Sequence, residues 1–289
     1  MRTPLPRQPA IDSRPPPDAA PDWQTDATRM ARADLRFGSR ARRLRRIFRA
    51  IPSAPRCKMC NSPFGAPGGP IMRLVGKGRW AGNSKYCAGC FKDMYRHRGG
   101  AEIECSLLFA DIRGSTHLAE TMPATEFRAL LDRFYATAAA VLIDHEAIVD
   151  KFVGDEVIGI FVPALAGEDH TARAIDAGME LLRATGHATD RPWAPIGIGV
   201  NAGVAFVGAV GTADHVEFTA LGDVVNVTAR LASAAEAGEL LVTTAAAEPG
   251  PAMGGQSVEG AQPRHLDLRG KASGTDVLVL TLGSAAAGR

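Results

Sequence analysis

The sequence predicts an α+β fold with a ferredoxin-like βαββαβ core and an extra C-terminal hairpin, preceded by a small four-cysteine module. Three observations lead to this prediction. Strand-like and helix-like patterns alternate from about residue 102 onward. Two Cys-x-x-Cys pairs lie before that region. Residues 1–100 hold 21 Lys and Arg against 6 Asp and Glu, whereas the rest of the chain holds 12 against 25, which indicates two units with different partners.

The composition is typical of a globular protein. Hydrophobic residues make up 46% of the 289 residues, enough for a buried core. No segment has the roughly 18 to 20 consecutive apolar residues that span a bilayer, and the N-terminus lacks the apolar stretch of a secretion signal. We therefore expect a cytoplasmic protein, whose cysteines stay reduced and act as metal ligands or redox thiols.

The chain divides into two tails and three structured parts. Residues 1–28 are rich in Pro, Ala and Asp without apolar periodicity, which predicts a disordered tail, and residues 284–289 predict a flexible one. Between them we expect a basic amphipathic helix at 29–52, a four-cysteine zinc-binding module at 53–100 and an α+β domain at 101–283.

The basic helix places Leu44, Ile47, Phe48 and Ile51 at helical spacing, with arginines around the rest of its surface. This short apolar stripe favours packing against the remainder of a dimer. Peripheral contact with an anionic membrane through the Arg-rich helix is the alternative that we keep, whereas nucleic acid is not an expected partner.

The cysteine pairs are Cys57-x-x-Cys60 and Cys87-x-x-Cys90, with 26 residues between them. Two such tight turns can present four thiolates tetrahedrally to Zn²⁺. The segment between them is rich in Gly and Pro, so metal binding would supply much of its folding free energy. The spacing predicts a structural Zn²⁺, with a redox dithiol pair or an iron–sulfur site as alternatives. Cys105 lies in an apolar run and is predicted to be a buried strand residue.

The elements of the α+β domain follow from period-2 and period-3.6 patterns. Strands are predicted at 106–111, 147–153, 156–162, 196–203, 204–211, 216–222, 239–244, 265–270 and 276–282. Helices are predicted at 125–146, 170–186 and 223–236. This order predicts one sheet with helices on one face and the other face free to pair.

Two aspartates and one helix start carry candidate chemistry. Asp111 in LLFADIRGST and Asp155 in DKFVGDEV each close an apolar strand at a glycine-containing turn. Adjacent strands would bring both carboxylates to one sheet edge, where they could share hard cations such as Mg²⁺; an ordinary turn role is the alternative. Asn226 and Arg230 lie four residues apart on one helix face and suit a ribose and a phosphate, or form a plain exposed face.

Taken together, these segments resemble the catalytic domain of the class III nucleotidyl cyclases, the family that makes cyclic AMP or cyclic GMP in intracellular signalling. LLFADIRGST is similar to the family's first metal motif, DKFVGDEVIGIF to its second and FTALGDVVNVTARL to its transition-state helix, in the same order. LRGKASGTDVLVL is similar to the family's closing hairpin. The resemblance covers residues 102–282.

The resemblance implies roles for individual residues. Asp111 and Asp155, with the backbone carbonyl of Ile112, would hold two Mg²⁺ or Mn²⁺ ions per active site. The ribose 3′-hydroxyl would then attack the α-phosphorus and expel pyrophosphate. Asn226 would orient the ribose, and Arg230 would stabilise the charge that develops on the α-phosphate.

The resemblance also implies an assembly. Lys271, with Arg269 as the alternative, matches the family's basic contact to the terminal phosphates. In the family the metal carboxylates come from one subunit, and the base, ribose and phosphate contacts come from the other. A single chain that carries both sets therefore implies a twofold homodimer with two equivalent sites.

Base choice depends on Lys151 and Thr219. Lys151 matches a lysine that donates to adenine N1 in adenylate-forming members, where guanylate-forming members usually have Glu. Thr219 matches a position held by Asp in many members, by Cys in guanylate formers and by Thr in a bacterial-type subgroup; its hydroxyl can accept from the adenine 6-amino group. The pair favours ATP and an adenylate cyclase. The alternatives are a guanylate cyclase, or a non-catalytic nucleotide-sensing module whose basic zinc-containing half binds nucleic acid or lipid.

Overall fold

The computed structural model describes most of the chain from residue 43 onward. The described residues are 43–51, 55–80, 86–90, 92, 100–189, 191–211, 216–254, 258, 260–268 and 274–283. The two predicted tails, the whole of the segment 29–42 and the candidate phosphate contacts Arg269 and Lys271 lie outside the described residues.

The described elements follow the predicted order. The strands are β1 (Gly100–Ile112), β2 (Ile148–Val153), β3 (Glu156–Phe161), β4 (Ile196–Gly211), β5 (Val216–Leu221), β6 (Leu240–Thr243), β7 (Gln262–Leu266) and β8 (Thr275–Leu280). The helices are α1 (43–50), α2 (Gly68–Leu74), α3 (Ser115–Thr121), α4 (Ala124–Asp144), α5 (Pro163–Ala166), α6 (His170–Ala184) and α7 (Asp223–Ala234). Within the described ranges, no helix is long and apolar enough to cross a membrane.

All eight strands belong to one sheet, in the order β2-β3-β1-β4-β6-β8-β7, with β5 paired to β4. The first four strands are antiparallel neighbours in the order 2-3-1-4, with helices in the two crossovers, which is the ferredoxin-like arrangement. Strand β6 joins β4 in parallel, and β7 and β8 form a hairpin that pairs with β6. The predicted α+β class, the core and the C-terminal hairpin are thus confirmed.

Strand β4 is a single element, whereas the sequence pattern predicted two strands that met between Gly203 and Val204. That prediction was wrong because β1 is long enough to pair with β4 from Ile196 to Gly208, across the predicted junction. The register runs without a break from Gly100 opposite Gly208 to Ile112 opposite Ile196. Glycine is compatible with the extended backbone, so Gly203 does not end the strand.

The helices cover both faces of the sheet. Alternate residues of β1 point to opposite sides: Leu108 and Ala110 join the core under α4 and α6, and Leu107 and Phe109 join a second core that includes Val224 of α7. The prediction that all helices lie on one face was therefore wrong for α7.

Two glycines of β4 allow this close approach of α7. A Cβ at Gly199 would lie 2.5 Å from the backbone nitrogen of Ala232, and one at Gly197 would lie 2.7 Å from the carbonyl oxygen of Ala235. Any larger residue would force the helix away from the sheet.

Helix α1 packs on the connection between α4 and β2 through an arginine. The Arg45 side chain is 1% exposed; its Nε lies 3.2 Å from Oε2 of Glu146 and its Nη2 donates to the Ala147 carbonyl at 2.8 Å. Of the predicted apolar face, Phe48 is buried, whereas Leu44 and Ile47 are about half exposed in the single chain, so that packing of the stripe within a dimer stays a prediction. The buried, paired Arg45 is an additional contact of this helix, which the apolar pattern could not indicate.

Candidate active site

The ends of β1 and the β2–β3 turn bring the two predicted aspartates together. Asp111, next to last in β1, lies opposite Glu156, the first residue of β3. Asp155 occupies the turn just before Glu156, and the Ile112 amide donates to its carbonyl at 3.4 Å. Gly154 permits this tight turn because its φ is 62°. We name Asp111, Asp155 and Glu156 the carboxylate edge.

One guanidinium faces the carboxylate edge. Arg113 donates to Oδ2 of Asp111 through Nη2 and to the Ser233 carbonyl of α7 through Nη1, the latter at 2.9 Å. Burial lowers the Arg113 pKa, and the nearby Asp155 and Glu156 charges oppose that shift. Burial and the Asp155 charge raise the pKa of Glu156 to about 7.

The charge balance and the donor atoms of this edge fit hard divalent cations. Of the three carboxyl groups, Asp111 forms an ion pair with Arg113, and the charges of Asp155 and Glu156 also act on that guanidinium, whose Nε is buried without a hydrogen-bond partner among the described residues. The donors are all oxygen atoms, the ligands that Mg²⁺ and Mn²⁺ prefer. Asp111, Asp155 and the Ile112 carbonyl are thus chemically suited to the cations that the sequence predicted.

Lys151 and Thr219 meet at a residue that the sequence analysis missed. The Thr219 hydroxyl donates to Oδ2 of Asp150 at 2.7 Å, and Nζ of Lys151 lies 3.8 Å from the same oxygen. The other carboxylate oxygen, Oδ1, is 2.7 Å from Nζ of Lys58. We name these four residues the Asp150 cluster.

A strand irregularity helps to form the Asp150 cluster. The pairing of β2 with β3 shifts register between Val149 and Phe152, so two residues of β2 stand opposite one residue of β3. Such bulges redirect side chains from the regular alternation. Asp150 is next to Lys151 in the sequence, but its partner Lys58 lies 92 residues away, so no local pattern indicated the contact.

Asn226 and Arg230 lie on α7, away from its packed side. The buried residues of α7 are Val224, Val227, Thr228, Leu231 and Ala232. Asn226 is exposed and Arg230 is half-buried. Within the described part of the chain, no hydrogen bond or ion pair joins either side chain to the carboxylate edge or to the Asp150 cluster.

The four predicted cysteines converge on one point. Their sulfurs all lie within 4.8 Å of one another, and Sγ of Cys60 is 3.7 Å from Sγ of Cys87. A tetrahedral site with Zn–S bonds of about 2.3 Å needs sulfur separations of about 3.8 Å. The cluster therefore fits a tetrahedral metal.

This four-cysteine module rests on β5. The Phe218 amide donates to the Tyr86 hydroxyl at 3.0 Å, and Nζ of Lys58 donates to the Phe218 carbonyl, also at 3.0 Å. The Tyr86 ring is fully buried against Met59, Ala209 and Phe218. The module thus satisfies backbone groups on the open edge of β5, which would otherwise be exposed.

Comparisons with known proteins agree with this architecture. The profile of the adenylate and guanylate cyclase catalytic domain matches residues 101–278. The uncharacterised protein Rv1320c of Mycobacterium tuberculosis is 34% identical over 140 residues, which are 48% of this chain and 24% of that protein. This chain therefore spans about a quarter of the length of such curated relatives.

Two solved structures are similar in fold and in sequence. The guanylyl cyclase Cya2 is 26% identical, with a TM-score of 0.55 over 63% of this chain and 93% of that one. The adenylyl cyclase CyaB from P. aeruginosa is also 26% identical, with a TM-score of 0.51 over 61% of this chain and 93% of that one. Because one of these proteins is a guanylyl and the other an adenylyl cyclase, the likeness does not distinguish the two bases.

Proposed function

Because this chain belongs to the adenylate and guanylate cyclase catalytic domain family, we propose that it is an adenylate cyclase that converts ATP to 3′,5′-cyclic AMP and pyrophosphate. The observation that carries the choice of base is the meeting of Lys151 and Thr219 at Asp150. An ammonium group can only donate. It therefore suits adenine N1, which accepts, and not guanine N1, which carries a proton.

The carboxylate edge supports the proposed reaction class. Asp111, Asp155 and the Ile112 carbonyl would hold two Mg²⁺ or Mn²⁺ ions. When bound, such ions supply Lewis-acid chemistry, lowering the pKa of the ribose 3′-hydroxyl and neutralising the triphosphate. Asn226 would orient the ribose for in-line attack, and the Arg230 guanidinium would stabilise the charge that builds on the α-phosphate.

The family to which this chain belongs supports a homodimer. Cyclase domains of this family bind a nucleotide and typically dimerise. Here Asn226 and Arg230 are accessible on α7 and make no described contact with the carboxylate edge. We propose that the edge of one chain faces the Asp150 cluster and α7 of a second chain, so that a twofold dimer has two sites.

The first experiment measures cyclic AMP and cyclic GMP formed from ATP and from GTP, with Mg²⁺ and with Mn²⁺. Asp155→Ala serves as the blank. Asp144→Ala serves as the matched control, because that aspartate forms an exposed pair with Arg49. We expect cyclic AMP as the main product, lost only in Asp155→Ala. Cyclic GMP as the main product would replace the adenylate assignment by the guanylate one, and no product from either nucleotide would favour the nucleotide-sensing alternative.

A mixing experiment tests the shared site. Asp155→Ala and Arg230→Ala should each be inactive alone, since each lacks one half of both sites. Mixed and allowed to exchange subunits, they should regain activity, because a heterodimer contains one intact site. Absence of recovery, with subunit exchange demonstrated by labelled chains, would refute the interfacial arrangement.

We also propose that residues 53–100 form a structural zinc module that precedes a catalytic domain at 101–283, and that α1 serves to pack on that domain. The sulfur spacing and the Arg45–Glu146 pair support these assignments. Metal analysis of the purified protein should find one Zn²⁺ per chain, and Cys60→Ser should remove it. Iron in place of zinc would favour the iron–sulfur alternative.

A further inference from the structure

A threonine hydroxyl alone does not discriminate between the two purines. It can accept a hydrogen bond from the adenine 6-amino group, and it can equally donate one to guanine O6. Lys151 favours adenine because its ammonium group can donate to N1. The contribution of Thr219 to base choice depends on the direction of its hydroxyl proton. The surroundings of Thr219 therefore decide what it recognises.

In this structure the Thr219 proton already has an acceptor. The hydroxyl lies 2.7 Å from Oδ2 of Asp150, and an ionised carboxylate can only accept. With its proton directed to Asp150, the Thr219 oxygen presents only lone pairs to any other group. That arrangement matches an amino group such as the one on adenine, and it opposes a carbonyl such as guanine O6.

Lys58 holds Asp150 in this orientation. Its Nζ lies 2.7 Å from Oδ1, and the two side chains are only 6% and 3% exposed. The same Nζ donates to the Phe218 carbonyl, next to Thr219 in the chain.

Lys58 and Tyr86 both belong to the four-cysteine module. Lys58 follows Cys57 in the first cysteine turn, and Tyr86, just before Cys87, accepts from the Phe218 amide. The four-cysteine module thus contacts both Asp150, which accepts the Thr219 proton, and β5, the strand that carries Thr219.

Building on the proposed function, we propose that Asp150 and Lys58 are positioning residues for base selection. Asp150 takes the Thr219 proton and leaves the hydroxyl oxygen as an acceptor for the adenine 6-amino group. Lys58 keeps the Asp150 carboxylate in place. The N-terminal module therefore takes part in choosing ATP over GTP, in addition to any role in assembly.

The sharpest variant is Asp150→Asn. The Lys58 ammonium needs an oxygen in front of it, so the new amide would turn its oxygen to Lys58 and its NH₂ group to Thr219. The Thr219 oxygen would then accept from the amide, and its proton would be released toward the nucleotide. We expect the ratio of kcat/KM for ATP to that for GTP to fall roughly tenfold or more, the scale of one hydrogen bond, mainly through KM.

A double-mutant cycle shows whether the effect passes through the hydroxyl. Thr219→Val removes the hydroxyl at nearly constant shape, and Thr219→Ser is the matched control that keeps it. Asp150→Asn should lower the ratio in the wild-type and Thr219→Ser backgrounds, but by less than about twofold in the Thr219→Val background. An equal effect in all three backgrounds would overturn the proposal.

Lys58 supplies a second, independent variant should Asp150→Asn fold poorly. Lys58→Met should lower the ratio, and Lys58→Arg, which keeps a cation near Asp150, should restore most of it. An equal gain in affinity for both nucleotides in Lys58→Met would instead mean that Lys58 blocks the base pocket, which contradicts the proposal.

The affinities of 3′-deoxy-ATP and 3′-deoxy-GTP separate this inference from the proposed function. These nucleotides lack the attacking hydroxyl, so their binding does not depend on turnover. If the wild type binds 3′-deoxy-ATP preferentially and Asp150→Asn removes that preference, the inference holds even when no cyclic nucleotide is formed. If the wild type cyclises ATP but the binding preference does not change in Asp150→Asn, the inference fails and the proposed function stands.

Discussion

The carboxylate edge and the Asp150 cluster each pair an aspartate with a basic side chain, but they differ in exposure. The Asp111 and Arg113 side chains both keep 22% of their surface exposed. The Asp150 and Lys58 side chains keep 3% and 6%. Arg113 is two residues from its partner, whereas Lys58 is 92 residues from its partner.

This difference indicates different uses for the same residue type. A partly exposed carboxylate can exchange a guanidinium for a metal ion or a substrate, because water solvates both states. A buried carboxylate has no such alternative, since removing one partner leaves an uncompensated charge in a low-dielectric site. The carboxylate edge is therefore suited to chemistry and the Asp150 cluster to holding a geometry.

The largest expected effect is on turnover at the open site. Asp111→Asn should lower kcat by at least about a hundredfold, the scale for losing one major electrostatic contact, because a neutral amide holds a divalent cation poorly. The free energy of unfolding should change by less than about 1 kcal/mol, since the site is partly exposed. Activity assays and urea unfolding of the same preparation measure both quantities. A loss of stability larger than this would place Asp111 among the structural carboxylates.

The largest expected effect on stability is at the buried cluster. Asp150→Ala should lower the free energy of unfolding by about 3–5 kcal/mol, because the buried Lys58 ammonium loses its carboxylate counter-charge. Asp144→Ala, which removes an exposed pair with Arg49, should cost less than about 1 kcal/mol. Equal costs for the two variants in urea denaturation would remove the distinction between open and buried sites.

Removal of the module's metal should have an intermediate effect. A chelator that extracts metal from the four cysteines should lower the melting temperature by roughly 5–10 °C, equivalent to about 2–3 kcal/mol for a domain of this size, because the support for Lys58 and Tyr86 is lost. Calorimetry with and without chelator measures the shift. Without chelator, Cys60→Ser should already melt at the temperature of the metal-depleted protein, and the chelator should not lower it further. An equally large chelator effect in Cys60→Ser would show that the extracted metal comes from another site.

The smallest expected effect is at a pair of intermediate exposure. Hydrogen bonds from Arg264, at 2.7 and 2.9 Å, lower the pKa of Glu239 below its ordinary value. This contribution to stability is present above the unfolded-state pKa and is lost as pH falls through the folded-state pKa. Because the Arg264 side chain is 36% exposed, we expect at most about 1 kcal/mol. Arg264→Met should remove this contribution to the free energy of unfolding, which is measured by unfolding curves from pH 7 to pH 3. The same pH dependence in the variant and the wild type would contradict the assignment to this pair.

Local sequence patterns were sufficient for the features that depend on neighbouring residues. The position of Asp111 near the end of β1 and the turn at Asp155 followed from apolar runs that stop at glycine-containing turns. The Cys57-x-x-Cys60 spacing is also a local feature. It indicated a metal site because a tight turn holds the two sulfurs close together. The resemblance to a known family added the partnership of Lys151 with Thr219.

Only the tertiary structure revealed the features that depend on distant segments. Helix α7 can approach its side of the sheet because Gly197 and Gly199 have no side chains. This property matters only once the helix is next to β4. The contact of α1 through Arg45 was not predicted because its partner Glu146 lies 101 residues away. No periodicity signals such a pair, since an arginine in isolation favours water.

What the sequence by itself determined is therefore the fold class, the strand ends that carry Asp111 and Asp155, and the four cysteines. What the tertiary structure decided is which charges are buried and what holds them, above all Lys58 against Asp150. The physical reason is desolvation: a charged side chain is buried only where a distant partner compensates for the loss of water. That condition is a property of three-dimensional contact and not of sequence spacing.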